Sequence, residues 1–412
     1  MKENRLLVVA DDLTGANDTG IMFASKGYST MLETDDESLN MADFSQANVF
    51  TVSTDSRALG NLASDRTYNA VVAGIKNGIT QLYLKIDSTM RGSVTYQIDG
   101  ALKAWKRVYP NAKAIICSAY PEMGRTIRNG VLYVNDVPVK DTPSGKDAIC
   151  PVLSSKMEEL LPNAILLTGK TEKELIKQIL SSSSDQFIID AVTEDDLAII
   201  GNVINELGNS IIPVGSAGLA NKLHMKFNVY GESSNRNLSL GRSLILVTSI
   251  HETSQQQVDE YISHAGGSSI VFNPSPLQLL NHEISSSALK QQLGALIKSS
   301  KDNVIIRANP TKVPVQDGNI NSIARILAKD LAELGLFCLE NEHFDSLILF
   351  GGDGAAMLLD KMNITEMRLL FSIVPGVPLC KIDNTKYQGL IVMTKSGGFG
   401  NKDLLRMIKE RV

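Results

Sequence analysis

Short aliphatic and β-branched runs alternate with helix-period segments along nearly the whole chain, and that rhythm restricts it to α/β architecture. The runs at 6–10, 49–53, 82–86 and 114–117 are predominantly apolar rather than alternating, the pattern of strands buried on both faces of a parallel sheet. Between them, 21–26, 62–76 and 94–105 have the amphipathic spacing of crossover helices, and Gly27 and Gly78 stand where such helices would stop. Residues 121–140 break the rhythm with Gly, Pro and a β-rich run at 131–134, so a loop and hairpin excursion is expected there. Strand-like runs resume at 164–167, 187–189 and 211–214. The stretch 230–242 (YGESSNRNLSLGR) is polar apart from two leucines and reads as a linker. A second series follows at 244–247, 269–272, 304–306, 347–350 and 390–393. A chain of 412 residues exceeds one ordinary core. The expectation is therefore two α/β domains with largely parallel sheets and a cleft between them, spanning 1–232 and 241–412.

Ligands of open α/β sheets sit beyond the carboxyl ends of the strands, and three successive strand ends here are charged. The first runs into Asp11 and Asp12 and then, through Thr14, Gly15 and Ala16, into a helix. One acid would suffice to cap that helix; two adjacent carboxylates repel each other unless a cation or several donors hold them. The second strand ends in STDSR, with Asp55 and Arg57. The third ends in KIDSTMRG, with Lys85, Asp87, Ser88, Thr89 and Arg91. Taken singly, Asp87 and Arg91 could form a local salt bridge and Ser88 or Thr89 a helix cap. Together the three ends suit a polyhydroxy acid, because guanidinium groups grip a carboxylate while carboxylates accept hydroxyl protons. Asp12 or Asp87 would orient the reacting hydroxyl and take its proton. The PEMGR turn offers Arg125 as a further basic contact or as an exposed side chain.

Small residues also mark three strand-to-helix junctions: GSAG at 215–218, GGDG at 351–354 and TKSGGFG at 394–400. Glycines let backbone N–H groups approach an anion, and a helix N-terminus adds its positive end. Gly351, Gly352, Asp353 and Gly354, with Lys395, Ser396, Gly397 and Gly398, are the candidate nucleotide-phosphate turns. Tight packing is the other use of such glycines, and for 215–218 the two readings balance.

The formal net charge of −5 gives no global attraction for nucleic acid or an anionic membrane. No apolar run approaches the ~20 residues that span a bilayer. Four scattered cysteines without a CxxC pair suit free thiols, and no export signal opens the chain, so a cytoplasmic protein is expected. Neither GxxxxGK[ST] nor GxGxxG occurs, which argues against a P-loop ATPase and a dehydrogenase. The five histidines lack metal-ligand spacing. A non-catalytic sugar-acid-binding protein is a rival that the phosphate turns weigh against. The number of subunits is not fixed by sequence, and a homo-oligomer is compatible with it.

The combined pattern resembles the four-carbon acid sugar kinase family. ADDLTGAND at 10–18, STDSR at 53–57, KIDSTMRG at 85–92, GSAGLA at 215–220, GGDG at 351–354, GVPLC at 376–380 and TKSGGFG at 394–400 stand in the family's order. The resemblance implies an N-terminal acid-sugar-binding domain, a C-terminal nucleotide-binding domain and ATP-dependent phosphorylation of the 4-hydroxyl of threonate, erythronate or 3-oxo-tetronate, with Mg²⁺ brought by the nucleotide. It implies substrate contacts at Asp11, Arg57 and the turn from Lys85 to Ser88; Gly15 and Arg91 are further substrate-binding candidates read from the strand ends themselves. It implies ATP contacts at Ser249, the 351–354 turn and Gly397. Two turns depart from the family pattern: TSIHETS replaces a GSxS-like turn and GGDGAA a GGxTA-like one. NDTG at 17–20 most resembles the branch of the family acting on D-threonate.

Overall fold

The structure is a computed structural model and describes residues 4–147, 149–224, 238–264, 269–280, 285–299, 302–308, 320–374, 376–383, 385–395 and 398–411. The chain divides into two compact units, Met1–Gly231 and Glu232–Val412. Of the expected linker, 230–237 lies outside the described residues.

In the first unit the strands are β1 (Leu6–Ala10), β2 (Thr30–Glu33), β3 (Val49–Ser53), β4 (Gln81–Lys85), β5 (Lys113–Cys117), the hairpin β6 (Arg125–Arg128), β7 (Val131–Val134) and β8 (Val137–Pro138), then β9 (Ile165–Leu166), β10 (Gln186–Ile188) and β11 (Ile211–Gly215). The main strands run parallel in the order β2-β3-β1-β4-β11-β5-β10-β9. Every residue of β1 is buried, as its unbroken apolar run requires when helices cover both faces. Helices Leu62–Lys76 and Val94–Trp105 fall where periodicity places them. The first helix, Leu13–Ala24, starts eight residues before the expected 21–26. Its N-cap is Asp12, whose Oδ1 accepts the Gly15 N–H at 2.7 Å.

The expected hairpin excursion is present, and its turns explain it. Asn129 and Gly130 have φ of 51° and 71°, and Asn135 and Asp136 have 49° and 63°. These are two-residue loops with both φ positive, the geometry whose twist matches antiparallel strands.

The second unit contains β12 (Ser243–Val247), β13 (Ser269–Phe272), β14 (Asn303–Arg307), β15 (Ser346–Phe350), β16 (Glu366–Val374), β17 (Val377–Lys381) and β18 (Ile391–Lys395), ordered β13-β14-β12-β15-β18-β17-β16. Five strands are parallel, while β17 runs antiparallel to both β16 and β18. The sequence reading did not anticipate β2, β16 or β17. β16 (EMRLLFSIV) alternates polar with apolar residues only over its first four positions and β17 (VPLCK) not at all, and their register carries two irregularities.

Register brings the charged strand ends together. Ala10 is level with Ser53 on one side and Lys85 on the other, and Gly215 is level with both Lys85 and Cys117. The residues that follow therefore share one sheet edge. Chain order reverses around β1, which makes this edge the topological switch point where doubly wound sheets bind ligands.

Candidate active site

Arg57 is the hub of that edge. Its Nε donates to Asp11 Oδ2 at 2.6 Å, and its Nη2 stands 2.9 Å from Asp12 Oδ2 and 4.0 Å from Asp87 Oδ1. The adjacent carboxylates thus have the cation their repulsion demands. Burial alone would lower the pKa of Arg57, but Asp11, Asp12 and Asp87 together raise it further above its usual value. Asp11 moves upward, driven by burial and by Asp12, against the pull of Arg57 and Lys85.

The turn after β4 aims the second guanidinium. Arg91 grips Asp87 with Nε and Nη2, each at 2.9 Å, and its Nη1 lies 3.3 Å from Asp147. The Thr89 hydroxyl also donates to Asp87. Burial opposes ionisation of Asp87, but the Arg91 hydrogen bonds and the two guanidinium charges hold it well below the ordinary carboxylate range. Ser88 is half-buried in the same turn.

Gly92 closes this turn with φ 92°, and a Cβ there would lie 2.5 Å from the Arg57 carbonyl oxygen. Ser93 receives that same carbonyl with its N–H and its hydroxyl, both at 2.9 Å. Gly92 therefore lets the backbone carrying Arg57 pass closely enough to be pinned. Gly92→Ala should cost about 1–3 kcal/mol and raise the substrate KM. Urea unfolding and steady-state kinetics check this, and unchanged stability would refute the close-approach argument.

Gly15 has a similar origin. A Cβ there would meet Lys85 Nζ at 2.8 Å and Asp12 Oδ1 at 2.7 Å, so the glycine leaves room for the lysine to cross the first helical turn. Lys85 is buried, and it makes no hydrogen bond or ion pair among the described residues. Arg125 is the other cation with donors to spare. Its Nε is buried without a partner and its Nη1 donates to the Met123 carbonyl. Burial lowers its pKa, and the charges that bear on it are those of Asp87 and Arg91.

Sequence reasoning gave no role to Asp147 or Asp18. Asp147 lies in an irregular segment that carries no motif. Asp18 follows Gly15 by nearly one helical turn, a spacing that could have placed it on the same face.

In the second unit Val247, Phe350 and Lys395 are level, so the residues after β12 and β15 are neighbours. Ser249 is half-buried, and its Oγ accepts the His251 N–H at 3.2 Å. Gly351 has φ 114° and donates to the Lys395 carbonyl at 3.0 Å. A Cβ on Gly354 would lie 2.0 Å from Thr248 Oγ1, which makes that glycine a packing requirement. Gly352 and Asp353 are exposed in the first turn of helix Gly352–Lys361, where N–H groups lack intrahelical acceptors. That arrangement fits a phosphate. A Cβ on Gly398 would touch His251 Nε2 at 3.0 Å, while the imidazole Nδ1 accepts the Thr253 N–H. Ser396 and Gly397 lie outside the described residues.

Lys395 is buried and its ammonium is held by Ser254 Oγ at 3.2 Å and Gln257 Oε1 at 2.8 Å. Burial lowers its pKa to about 8. Arg307, level with Val247, pairs with Asp259 at 2.7 Å and keeps a buried Nε without a partner.

Residues 6–223 match the model of a sugar-binding N-terminal domain and residues 244–405 that of a nucleotide-binding C-terminal domain. A D-threonate kinase of Bordetella bronchiseptica is 32% identical, covering 98% of this chain and 97% of that protein. The chain belongs to the four-carbon acid sugar kinase family. Among further members of this kinase family, a 3-oxo-tetronate kinase of Haemophilus influenzae is 23% identical over 96% of this chain and 97% of its own length. A Haemophilus influenzae crystal structure shares the fold, with a TM-score of 0.76 at 21% identity, covering 98% of this chain and 99% of that one. A Bordetella bronchiseptica structure, solved with bound citrate as a domain-swapped dimer, is 31% identical with a TM-score of 0.50, covering 98% of each chain.

Proposed function

We propose that this kinase transfers the γ-phosphate of ATP to the 4-hydroxyl of D-threonate, with D-erythronate and 3-oxo-tetronate as the alternatives within the same family. The observation that carries the reading is the state of the cations at the first unit's sheet edge. Arg57 and Arg91 are occupied by Asp11, Asp12, Asp87 and Asp147, which leaves buried Lys85 and half-buried Arg125 to receive a substrate carboxylate. A buried ammonium without a hydrogen-bonded partner is costly, and an acid sugar supplies one. The substrate-binding set is then Asp11, Gly15, Arg57, Lys85, Asp87, Ser88 and Arg91, joined by Arg125. Asp12 and Asp87, held in place by guanidinium groups, orient the sugar hydroxyls.

The 1–232 domain is the acid-sugar half of the proposal and the 241–412 domain the nucleotide half. ATP is the phosphoryl donor, its phosphates received by Ser249, Gly351, Gly352, Asp353, Gly354, Ser396, Gly397 and Gly398, with Lys395 and Arg307 as nearby cations. Among the described residues no group of three or more His, Cys, Asp or Glu could hold a metal ion. Mg²⁺ is proposed to arrive with the nucleotide, and the exposed Asp353 carboxylate would hold it. Its chemistry would be charge neutralisation on the transferred phosphoryl group.

Among the described residues no helix is long and apolar enough to cross a membrane. Four free thiols suit a reducing cytoplasm. A homo-oligomer is part of the proposal, supported by the domain-swapped relative.

The test is ADP release with D-threonate, D-erythronate, 3-oxo-tetronate and threitol. A site built around a carboxylate should prefer threonate over threitol by ~1,000-fold or more in kcat/KM. Efficient use of threitol with no turnover of any of the three acids would overturn the reading.

A further inference from the structure

We infer that Asp18 is the proton acceptor for the substrate hydroxyl, an assignment that rests on the kinase reading above. The argument begins with the carboxylates that cannot easily serve. Asp11 is buried against Arg57. Each oxygen of Asp12 already has a donor, the Gly15 N–H on Oδ1 and Arg57 on Oδ2. Both oxygens of Asp87 are taken by Arg91, with Thr89 in addition. Asp87 is also held well below the ordinary carboxylate range by its guanidinium partners, which makes it a weak base.

Asp18 differs in each respect. It makes no hydrogen bond or ion pair among the described residues, and its Oδ1 is closed off from solvent without a partner although the residue as a whole is half-buried. It lies nearly one turn beyond Gly15 on the helix face crossed by Lys85. The groups that bear on it are Lys85 from β4, Asp12 from the end of β1 and the Tyr120 phenol from the segment after β5. Asp18 thus lies within electrostatic reach of the cation proposed to hold the substrate carboxylate. Burial raises its pKa to about 7, with Lys85 opposing the rise and Asp12 adding to it. A base poised near the operating pH can both be ionised and accept a proton.

The step balances without another reagent. The substrate oxygen forms its bond to the γ-phosphorus as the bond from that phosphorus to the β,γ-bridging oxygen breaks. ADP leaves with that electron pair, and the hydroxyl proton passes to the ionised Asp18 carboxylate and later to solvent. Asp12 and Asp87 keep the task of orienting the sugar.

Turnover with saturating ATP, followed from about pH 5 to 9, tests this in wild type, Asp18→Asn, Asp18→Glu and Asp12→Asn. In wild type kcat should fall tenfold per pH unit below a midpoint near 7. Asp18→Asn should lower kcat by ~100-fold or more with little change in KM, and its residual rate should lose that acid limb. Asp18→Glu should recover part of the rate, and Asp12→Asn should keep the limb.

Melting curves give a readout free of turnover. The folded pKa of Asp18 lies above its unfolded value, so its contribution to wild-type stability declines as pH rises between about 4 and 7. Asp18→Asn should gain in Tm relative to wild type across that window. Asp18→Asn with kcat within threefold of wild type, or with the acid limb intact, overturns the assignment. Should that variant not fold, carbon-13 titration of wild-type aspartates decides: no carboxyl titrating within a unit of 7 overturns it as well. A wild type inactive on all three acids removes the kinase reading and this assignment with it, whereas a normal Asp18→Asn beside an active wild type removes only the assignment.

Discussion

Arg57→Ala is expected to lower kcat/KM for D-threonate by ~100-fold or more, because its loss frees the Asp11 and Asp12 carboxylates, which must stay fixed to within about an ångström. Asp11 would suffer most, being buried with Oδ1 unpartnered and Oδ2 bonded to Arg57. Stripping the cation from a buried pair costs ~3 kcal/mol, or roughly 6–12 °C in Tm for a unit of this size. Burial already raises Asp11, and losing Arg57 raises it further. A raised carboxylate contributes stability at low pH and loses it as pH rises, so the deficit should shrink as the buffer is taken from about 8 to 5. Arg57→Lys separates charge from geometry. Its ammonium restores much of the stability, yet cannot present the guanidinium fork that reaches Asp11 and Asp12 together. Calorimetric melts and initial rates on the two variants check this. Arg57→Ala with kcat/KM within threefold of wild type would remove Arg57 from the site.

Gly352→Val should raise the dissociation constant for ATP by ~100-fold or more while leaving sugar-acid binding intact. The residue is exposed at the first turn of its helix, so the new side chain meets no core. It would stand where a phosphate approaches the N–H groups, and two lost charge-assisted hydrogen bonds amount to ~3 kcal/mol or more. The contrast is Gly354→Ala. There even one methyl carbon would fall 2.0 Å from Thr248 Oγ1, and overpacking of this kind costs ~1–3 kcal/mol. The first variant should melt like wild type and bind ATP poorly; the second should melt early. Isothermal titration with ATP and with D-threonate distinguishes them. Unaltered ATP affinity in Gly352→Val would make the turn purely structural and refute the nucleotide assignment.

These two glycines show how far a motif can be read. GGDG was legible as a strand-to-helix turn that could receive phosphate, but the sequence could not apportion its glycines between ligand approach and packing. That division depends on Thr248, more than a hundred positions away. TKSGGFG placed a lysine beside a candidate phosphate turn, but not its partners: Lys395 is held by Ser254 and Gln257, supplied by a helix from the far end of the unit's chain.

What the sequence determined by itself is whatever depends on local chemistry. Unbroken apolar runs specified parallel strands, because strands covered on both faces have no solvent side to encode. Asn129 and Gly130 specified a hairpin turn, because few residues tolerate positive φ. The charged ends of β1, β3 and β4 specified the edge where a polar ligand would bind. Tertiary structure decided what depends on distant partners. The pairing of β17 with β16 and β18 left no sustained alternating pattern to read. Asp18 carried no mark of its chemistry, since the basicity of a carboxylate is set by burial and by the charges facing it. Lys85, Asp12 and Tyr120 come within electrostatic reach of Asp18 only when β1, β4 and the segment after β5 converge.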